Sequence, residues 1–235
     1  MRTINFFTEI INMFFKYSRY FLEGTRVTVI LSVVVVVLGS ILGALIAMMK
    51  LSKNPILNGF ASAYISVLRG TPLYVQLMII YVLIGRVVTI PRITILWMSM
   101  ERTAPAIIAL TMNSASYVAE IIRAGIQAVD PGQTEAARSI GMTSGQAMRL
   151  IIMPQAIKNI LPAIGNEFIT MIKETSIIRL LGVQDLMYGT NIVITTTYRP
   201  IPALLNAAFI YYILNLVLSR GVNAFERRLQ ASDRN

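Results

Sequence analysis

Residues 27–49 read VTVILSVVVVVLGSILGALIAMM and contain no charged side chain. An α-helix advances about 1.5 Å per residue, so about 20 apolar residues cross a hydrocarbon core roughly 30 Å thick. This stretch is therefore predicted to span a membrane. Gly39, Gly43 and Ala47 recur in it at every fourth position, a spacing that lets a second helix backbone pack closely, with chance placement as the alternative.

Four further apolar stretches cover residues 55–85, 103–122, 161–181 and 201–219. The first of them is interrupted by Arg69-Gly70-Thr71-Pro72 and is interpreted as one span with a local break. The sequence thus predicts an all-α, polytopic helical membrane protein with about five transmembrane helices. Residues 1–26 are predicted to be an amphipathic interfacial segment, with a loosely ordered leader as the alternative. Residues 27–225 form the predicted transmembrane domain, and residues 226–235 form a polar tail.

The composition agrees with a membrane protein, because 55% of the residues are hydrophobic, 14% are charged and the mean hydropathy is +0.66. The net charge of +10 comes from Lys and Arg scattered among apolar segments, which favours anionic membrane lipid as the counterion and not nucleic acid. The chain has no Cys and no His, and it contains no G-x-x-x-x-G-K-[ST] phosphate-binding loop. We therefore expect no metal site, no cofactor and no enzymatic activity in this chain.

The longest polar connection, about residues 123–160, lies between the third and fourth spans and is predicted to form two short helices. Asp130-Pro131-Gly132-Gln133 is typical of a capped helix start with a capping box. Gly141 is placed to end that helix in a left-handed conformation. Thr143-Ser144-Gly145-Gln146 predicts a second capping box. Short helices between spans usually rest on another surface, and a structured loop without a partner is the alternative.

This connection resembles the EAA loop of permease subunits from binding-protein-dependent ABC importers, through Glu135-Ala136-Ala137, Gly141 and Ile151-Ile152-Met153-Pro154. Met153 departs from the usual Leu, with little expected consequence. The likeness continues at Arg69-Gly70-Thr71-Pro72-Leu73, at residues 113–121 and at residues 162–186. Together these stretches are similar to the polar amino acid branch, which contains the histidine, glutamine, arginine and opine permeases.

The resemblance implies a type I ABC importer permease fold in the cytoplasmic membrane of a bacterium. It also implies that the EAA loop and the tail at 226–235 lie in the cytoplasm, an orientation that the distribution of Lys and Arg leaves open. The implied partners are an ATP-binding subunit, a second permease subunit that is either another copy or a paralogue, an extracellular solute-binding protein and an amino acid substrate. The residues implied to couple to the ATP-binding subunit are Glu135, Ala136, Ala137, Arg138, Gly141 and Pro154.

Polar and ionisable residues inside the spans are candidates for the translocation pathway. At about 100° per residue, they form one stripe on the third span and another on the fourth. Glu167 is the first candidate, because it has no cation on the same helical ridge. For Glu120 with Arg123, and for Lys173 with Glu174, internal ion pairing is the favoured alternative. The predicted substrate contacts are Arg69, Thr71, Asn113, Ser116, Glu120, Asn166, Glu167 and Thr170.

Arg69 has two interpretations that the sequence leaves open. Its guanidinium group can hold a substrate carboxylate with two hydrogen bonds if it lies inside a span. It can equally extend to lipid headgroups if residues 55–68 lie in the interface.

Three other functions are open on the residues alone. A secondary carrier would be expected to show internal repeats, and no convincing repeat is present in the sequence. A membrane scaffold or sensor could use the polar loop to recruit a cytosolic partner, although the polar stripes argue against it. An ABC permease for another small solute would carry the same loop.

Overall fold

The computed structural model describes residues 2–88, 90–95 and 98–231, and these residues are almost entirely helical. A π-helical turn at Met148–Ile152 leads into α8, and a 3-10 helix at Thr175–Leu181 follows it. The helices are α1 Arg2–Lys16, α2 Ser18–Lys50, α3 Pro55–Gly70, α4 Leu73–Val87, α5 Met100–Gln127, α6 Pro131–Ser139, α7 Ser144–Ala147, α8 Met153–Glu174, α9 Leu186–Thr197 and α10 Pro200–Ala231.

Two short strands, β1 Thr94–Ile95 and β2 Met98–Ser99, pair antiparallel with Thr94 opposite Ser99 and Ile95 opposite Met98. This hairpin was not predicted. It lies in the part of the sequence, residues 85–101, where the family resemblance is weakest.

Three of the described helices, α2, α5 and α10, are each long and apolar enough to cross a membrane. The count rises to five if each of two bent helix pairs forms one span, in agreement with the prediction of about five. The first bent pair breaks where the sequence predicted it, because α3 ends at Gly70 and α4 begins at Leu73. Thr71 is extended, with φ −122° and ψ 149°, as expected for a residue that precedes proline.

In two places helical structure begins earlier in the chain than the apolar stretch of the predicted span. α2 starts at Ser18, ahead of the apolar stretch at 27–49, and α8 starts at Met153 instead of near Leu161. Pro162 therefore lies inside a helix. An amphipathic or polar helical turn has a lower mean hydropathy than a membrane span, so an apolar stretch marks the apolar part of a helix and not its ends.

The chain is organised into two compact units, each built from several segments. The first unit contains the chain up to Val35, together with Leu73–Leu110 and Ile169–Leu218. Its apolar core joins α1, α2, α9 and α10. The Oγ1 atom of Thr28 accepts a hydrogen bond of 3.2 Å from the backbone nitrogen of Leu186, which fixes α2 to the start of α9. The core residues are Met13, Phe21, Leu186, Val193 and Ala203.

The second unit contains Val36–Pro72, Thr111–Phe168 and the chain from Ser219. In it the small residues of α2 face α5, as predicted. A Cβ atom at Gly39 would lie 2.9 Å from Ser114 Oγ, and one at Gly43 would lie 2.8 Å from Val118 Cβ. Ala47 is 1% exposed and packs in a cluster with α3 and α5. The spacing of these three residues therefore marks a close helix contact and not chance placement.

We expect Gly43→Ala to destabilise the protein, because its new methyl group would lie 2.9 Å from the carbonyl oxygen of Ala115 and would force α2 and α5 apart. Overpacking of this kind costs about 1–3 kcal/mol. Gly59→Ala is the matched control, since a Cβ there meets none of the described atoms within 4 Å. Unfolding of both variants in detergent should show a loss of stability for Gly43→Ala only. Equal stabilities would contradict the packing contact.

Candidate functional site

The polar connection between α5 and α8 begins with a capped helix. The Asp130 carboxylate accepts a hydrogen bond of 2.7 Å from the backbone nitrogen of Gly132, so Asp130 caps α6 as predicted. The predicted capping box was wrong in its second half. Gln133 instead uses its side-chain oxygen to accept a bond of 3.5 Å from Gln155, which ties α6 to the first turns of α8.

A tight left-handed turn follows α6. Gly141 has φ +88°, as the sequence predicted, and the backbone nitrogen of Met142 donates to Ala137 O at 3.1 Å. The nitrogen of Gly141 donates to Arg138 O at 3.0 Å, which completes the bond pattern of a Schellman motif. The guanidinium group of Arg138 also donates to Met142 O at 2.8 Å. The turn is therefore fixed by three hydrogen bonds.

The second helix of the connection starts with the predicted capping box. The backbone nitrogen of Gln146 donates to Thr143 Oγ1 at 3.3 Å, and that of Thr143 donates to Gln146 Oε1 at 2.8 Å. An apolar cluster then anchors the connection to the ends of α5 and α8. The buried members of this cluster are Val129, Ile152, Ala156 and Ile160.

Only one of the two alanines that the resemblance implies in coupling lies on the surface of this connection, residues 130–154. Ala136 is exposed, but Ala137 is only 4% exposed and faces the interior. Two apolar side chains that the sequence analysis did not select are exposed instead, Ile140 at 77% and Leu150 at 58%. Both residues could have been selected from the sequence, because each is an apolar residue within a polar connection. Glu135, Arg138 and Pro154 are exposed as well.

A cavity of about 490 Å³ lies within the second unit, between the end of α2, α3 and α5. It brings together two of the predicted substrate contacts, Arg69 and Glu120. Glu120 accepts a hydrogen bond of 2.9 Å from Arg123 Nε, which confirms the predicted internal ion pair. The guanidinium group of Arg69 lies 5.2 Å from the centre of the Tyr117 ring, a cation–π contact.

The other predicted contacts on α5 do not line this cavity. Asn113 is 3% exposed and Ser116 is completely buried, and the Ser116 hydroxyl group donates to Asn113 O at 2.6 Å. The hydroxyl group of Thr71 donates to Val67 O at 2.8 Å, at the end of α3.

Glu167 also lies outside the cavity, and it is 8% exposed. The Oγ atom of Ser114 donates a hydrogen bond of 2.9 Å to Glu167 Oε1. Two other candidates on α8 are more accessible, with Asn166 exposed and Thr170 half-buried. The three candidate residues on α8 therefore differ in how far they are buried within the protein.

Lys173 and Glu174 line a separate cavity of about 700 Å³ in the first unit, together with Arg179. No salt bridge within 4.0 Å is found between these two neighbours among the described residues, so their pairing stays a prediction. Consecutive residues of a helix point about 100° apart, which disfavours a close contact between the two charges. The described residues contain no group of three or more acidic side chains that could hold a metal ion.

Comparison with known proteins gives consistent matches over almost the whole chain. A putative glutamine transport system permease protein from Rickettsia typhi is 40% identical over 92% of this chain and 95% of its own length. The arginine transport system permease protein ArtQ of Bacillus subtilis is 41% identical, over 91% and 94% of the two chains. A crystal structure of an amino acid ABC transporter with histidines has 46% identity and a TM-score of 0.83, covering 91% of this chain and 95% of that chain.

A structure of the methionine transporter MetNI has only 18% identity but a TM-score of 0.72, so it supports the fold alone. The family model for the binding-protein-dependent transport system inner membrane component matches residues 27–231. Members of this family are multi-pass proteins of the cytoplasmic membrane, and ATP hydrolysis takes place on a partner subunit. The chain therefore belongs to the family of inner membrane components of binding-protein-dependent transport systems.

Proposed function

We propose that this chain carries polar amino acids into the cell as one of two permease subunits of an ABC importer. The observation that supports this most strongly is the pair of relatives named for glutamine and arginine transport, about 40% identical over nine-tenths of the chain. The ATP-binding and solute-binding partners follow from the family. The second permease subunit and the amino acid substrate are the additional elements of the proposal.

The proposal is tested by uptake into proteoliposomes that contain the complex of this chain with its ATP-binding subunit and solute-binding protein. We expect ATP-dependent accumulation of a polar amino acid such as glutamine or arginine. Accumulation of neither, by a complex that hydrolyses ATP in response to its binding protein, would indicate a different solute.

We further propose that the connection at 130–154 is the surface that binds the ATP-binding subunit. Ile140 and Leu150 expose apolar side chains in the same connection as the exposed Glu135 and Arg138. An apolar centre with charges beside it is typical of a protein interface. The caps and the Schellman turn make the connection rigid, and a rigid element can transmit a movement of the ATP-binding subunit to α5 and α8.

Gly141→Val is expected to abolish or strongly reduce uptake. A β-branched residue is strained at φ +88°, and the left-handed conformation costs about 1–2 kcal/mol even for an ordinary residue. Gly141→Asn should retain more activity, because Asn tolerates this conformation. Gly145→Ala is the control, since Gly145 lies in the same connection without a positive φ. Full uptake and normal assembly of Gly141→Val with the ATP-binding subunit would rule out the proposed role of the turn.

Glu167 remains the leading proposed substrate contact on α8, with Asn166 and Thr170 beside it on the same helix. It is 8% exposed, and its carboxylate accepts a hydrogen bond of 2.9 Å from the hydroxyl group of Ser114. An ionisable group within a membrane span is by default a candidate for the translocation pathway, and a carboxylate has the charge that suits the cationic or ammonium group of a substrate.

Glu167→Gln is expected to weaken transport of basic amino acids more than of neutral ones, by about 1–3 kcal/mol for a direct contact. Glutamine keeps the side-chain oxygen that accepts from Ser114 but removes the charge. Ser114→Ala is the complementary variant, because it removes the hydrogen bond and keeps the charge. Competition uptake with lysine, arginine, histidine and glutamine should show a changed profile for Glu167→Gln only. An unchanged profile combined with reduced stability would make Glu167 a structural residue.

A further inference from the structure

The cavity in the second unit carries more positive than negative charge. Its lining includes three cations, Lys50, Arg69 and Arg123, but only one carboxylate, that of Glu120. Arg123 is bound to that carboxylate and to Gln127. The Glu120 carboxylate is therefore hydrogen-bonded within α5, and it attracts Lys50 and Arg69 only across a longer distance.

Lys50 and Arg69 are each held in place by an uncharged partner. The Nζ atom of Lys50 donates to Ser62 Oγ at 2.5 Å, and Arg69 lies against the ring of Tyr117. In the ranges that the structure describes, no carboxylate approaches either cation within 4.0 Å. The fold thus places three positive charges and one negative charge around one cavity, which leaves the cavity with a net positive charge.

The position of the cavity along the helices indicates which anion it meets. Lys50 is the last residue of α2, and Arg123 lies in the last turns of α5, just before the polar connection at 130–154. If that connection is cytoplasmic, as the proposed function requires, these residues lie where the membrane meets the cytoplasm. The anions that are permanently present at that level are the phosphate groups of lipids in the cytoplasmic leaflet.

We propose that this cavity binds the phosphate group of an anionic lipid. Lys50 and Arg69 supply the positive charge, and the hydroxyl group of Ser66 in the lining supplies a hydrogen bond. Leu51 lines the same cavity and is 43% exposed, so it offers an apolar contact for the start of an acyl chain. Basic pockets between membrane helices are known to suit lipid phosphates.

A free amino acid fits the same charges less well. Its carboxylate would find Lys50 and Arg69, but its ammonium group would need a negative partner, and the Glu120 carboxylate is already bound by Arg123. A phosphodiester carries negative charge without a compensating group in the same position. Of the two interpretations of Arg69, contact with a lipid headgroup therefore fits this cavity better than contact with a substrate carboxylate.

The test uses the complete transporter complex in detergent, exchanged against an equimolar mixture of phosphatidylglycerol and phosphatidylcholine, with retained lipids counted by native mass spectrometry. We expect wild type to retain phosphatidylglycerol preferentially. Lys50→Gln should reduce this preference about fivefold, because that factor corresponds to the binding free energy that one cation contributes near an anionic membrane surface. Arg69→Gln should act similarly. Lys53→Gln is the matched control, because Lys53 is an exposed lysine three residues away that does not line the cavity.

Equal retention of the two lipids by wild type, or an undiminished preference in Lys50→Gln that assembles normally, would overturn the inference. Displacement of phosphatidylglycerol by glutamine or arginine would show that the cavity binds solute and would overturn it as well. Inorganic phosphate alone should not displace the lipid, because it lacks the apolar contact at Leu51; displacement by phosphate would mean a free-anion site. Amino acid uptake by the same preparation tests the proposed transport function separately. Failure of the lipid site and failure of the transport function can therefore be distinguished.

Discussion

The close contact between α2 and α5 is the constraint on which the second unit depends. In a membrane, the lipid tails are as apolar as the side chains, so helices gain little from burying large apolar groups against each other and associate through close packing and hydrogen bonds. Gly39 and Gly43 provide that closeness. The absence of a side chain at Gly39 also leaves room for the hydroxyl group of Ser114, which donates to Glu167. A packing feature of α2 thus determines the surroundings of a carboxylate on α8.

The connection between α5 and α8 obtains its rigidity in another way, because it is polar and mostly exposed. Its shape comes from bonds to its own backbone, namely the cap at Asp130, the Schellman turn at Gly141 and the capping box between Thr143 and Gln146. Each such bond replaces a bond to water, so its net contribution to stability is only about 0.5–1.5 kcal/mol. Together these bonds select one conformation of the connection, in which the apolar side chains of Ile140 and Leu150 are exposed.

Features set by neighbouring residues could be predicted from the sequence, and features set by distant contacts could not. The left-handed turn at Gly141 and the break before Pro72 follow from the backbone preferences of the residues at those positions. The burial of Ala137 and the bond from Gln155 to Gln133 depend on how α6 rests on α8, which no local pattern encodes. Glu167 shows the same limit, because its hydrogen-bond donor lies 53 residues away in the chain.

The polar stripe on α5 shows why helical periodicity alone does not define a pathway. Asn113 and Ser116 share a face with Glu120 and Arg123, yet the first two are buried and the last two line a cavity. A neutral hydroxyl group such as that of Ser116 can be buried cheaply, since a carbonyl group of its own helix accepts its proton. A carboxylate or guanidinium group cannot be satisfied in this way, and Glu120 and Arg123 lie instead where they can pair and reach open space. Along one stripe, the cost of burying each group therefore decides which residues pack within the unit and which line the cavity.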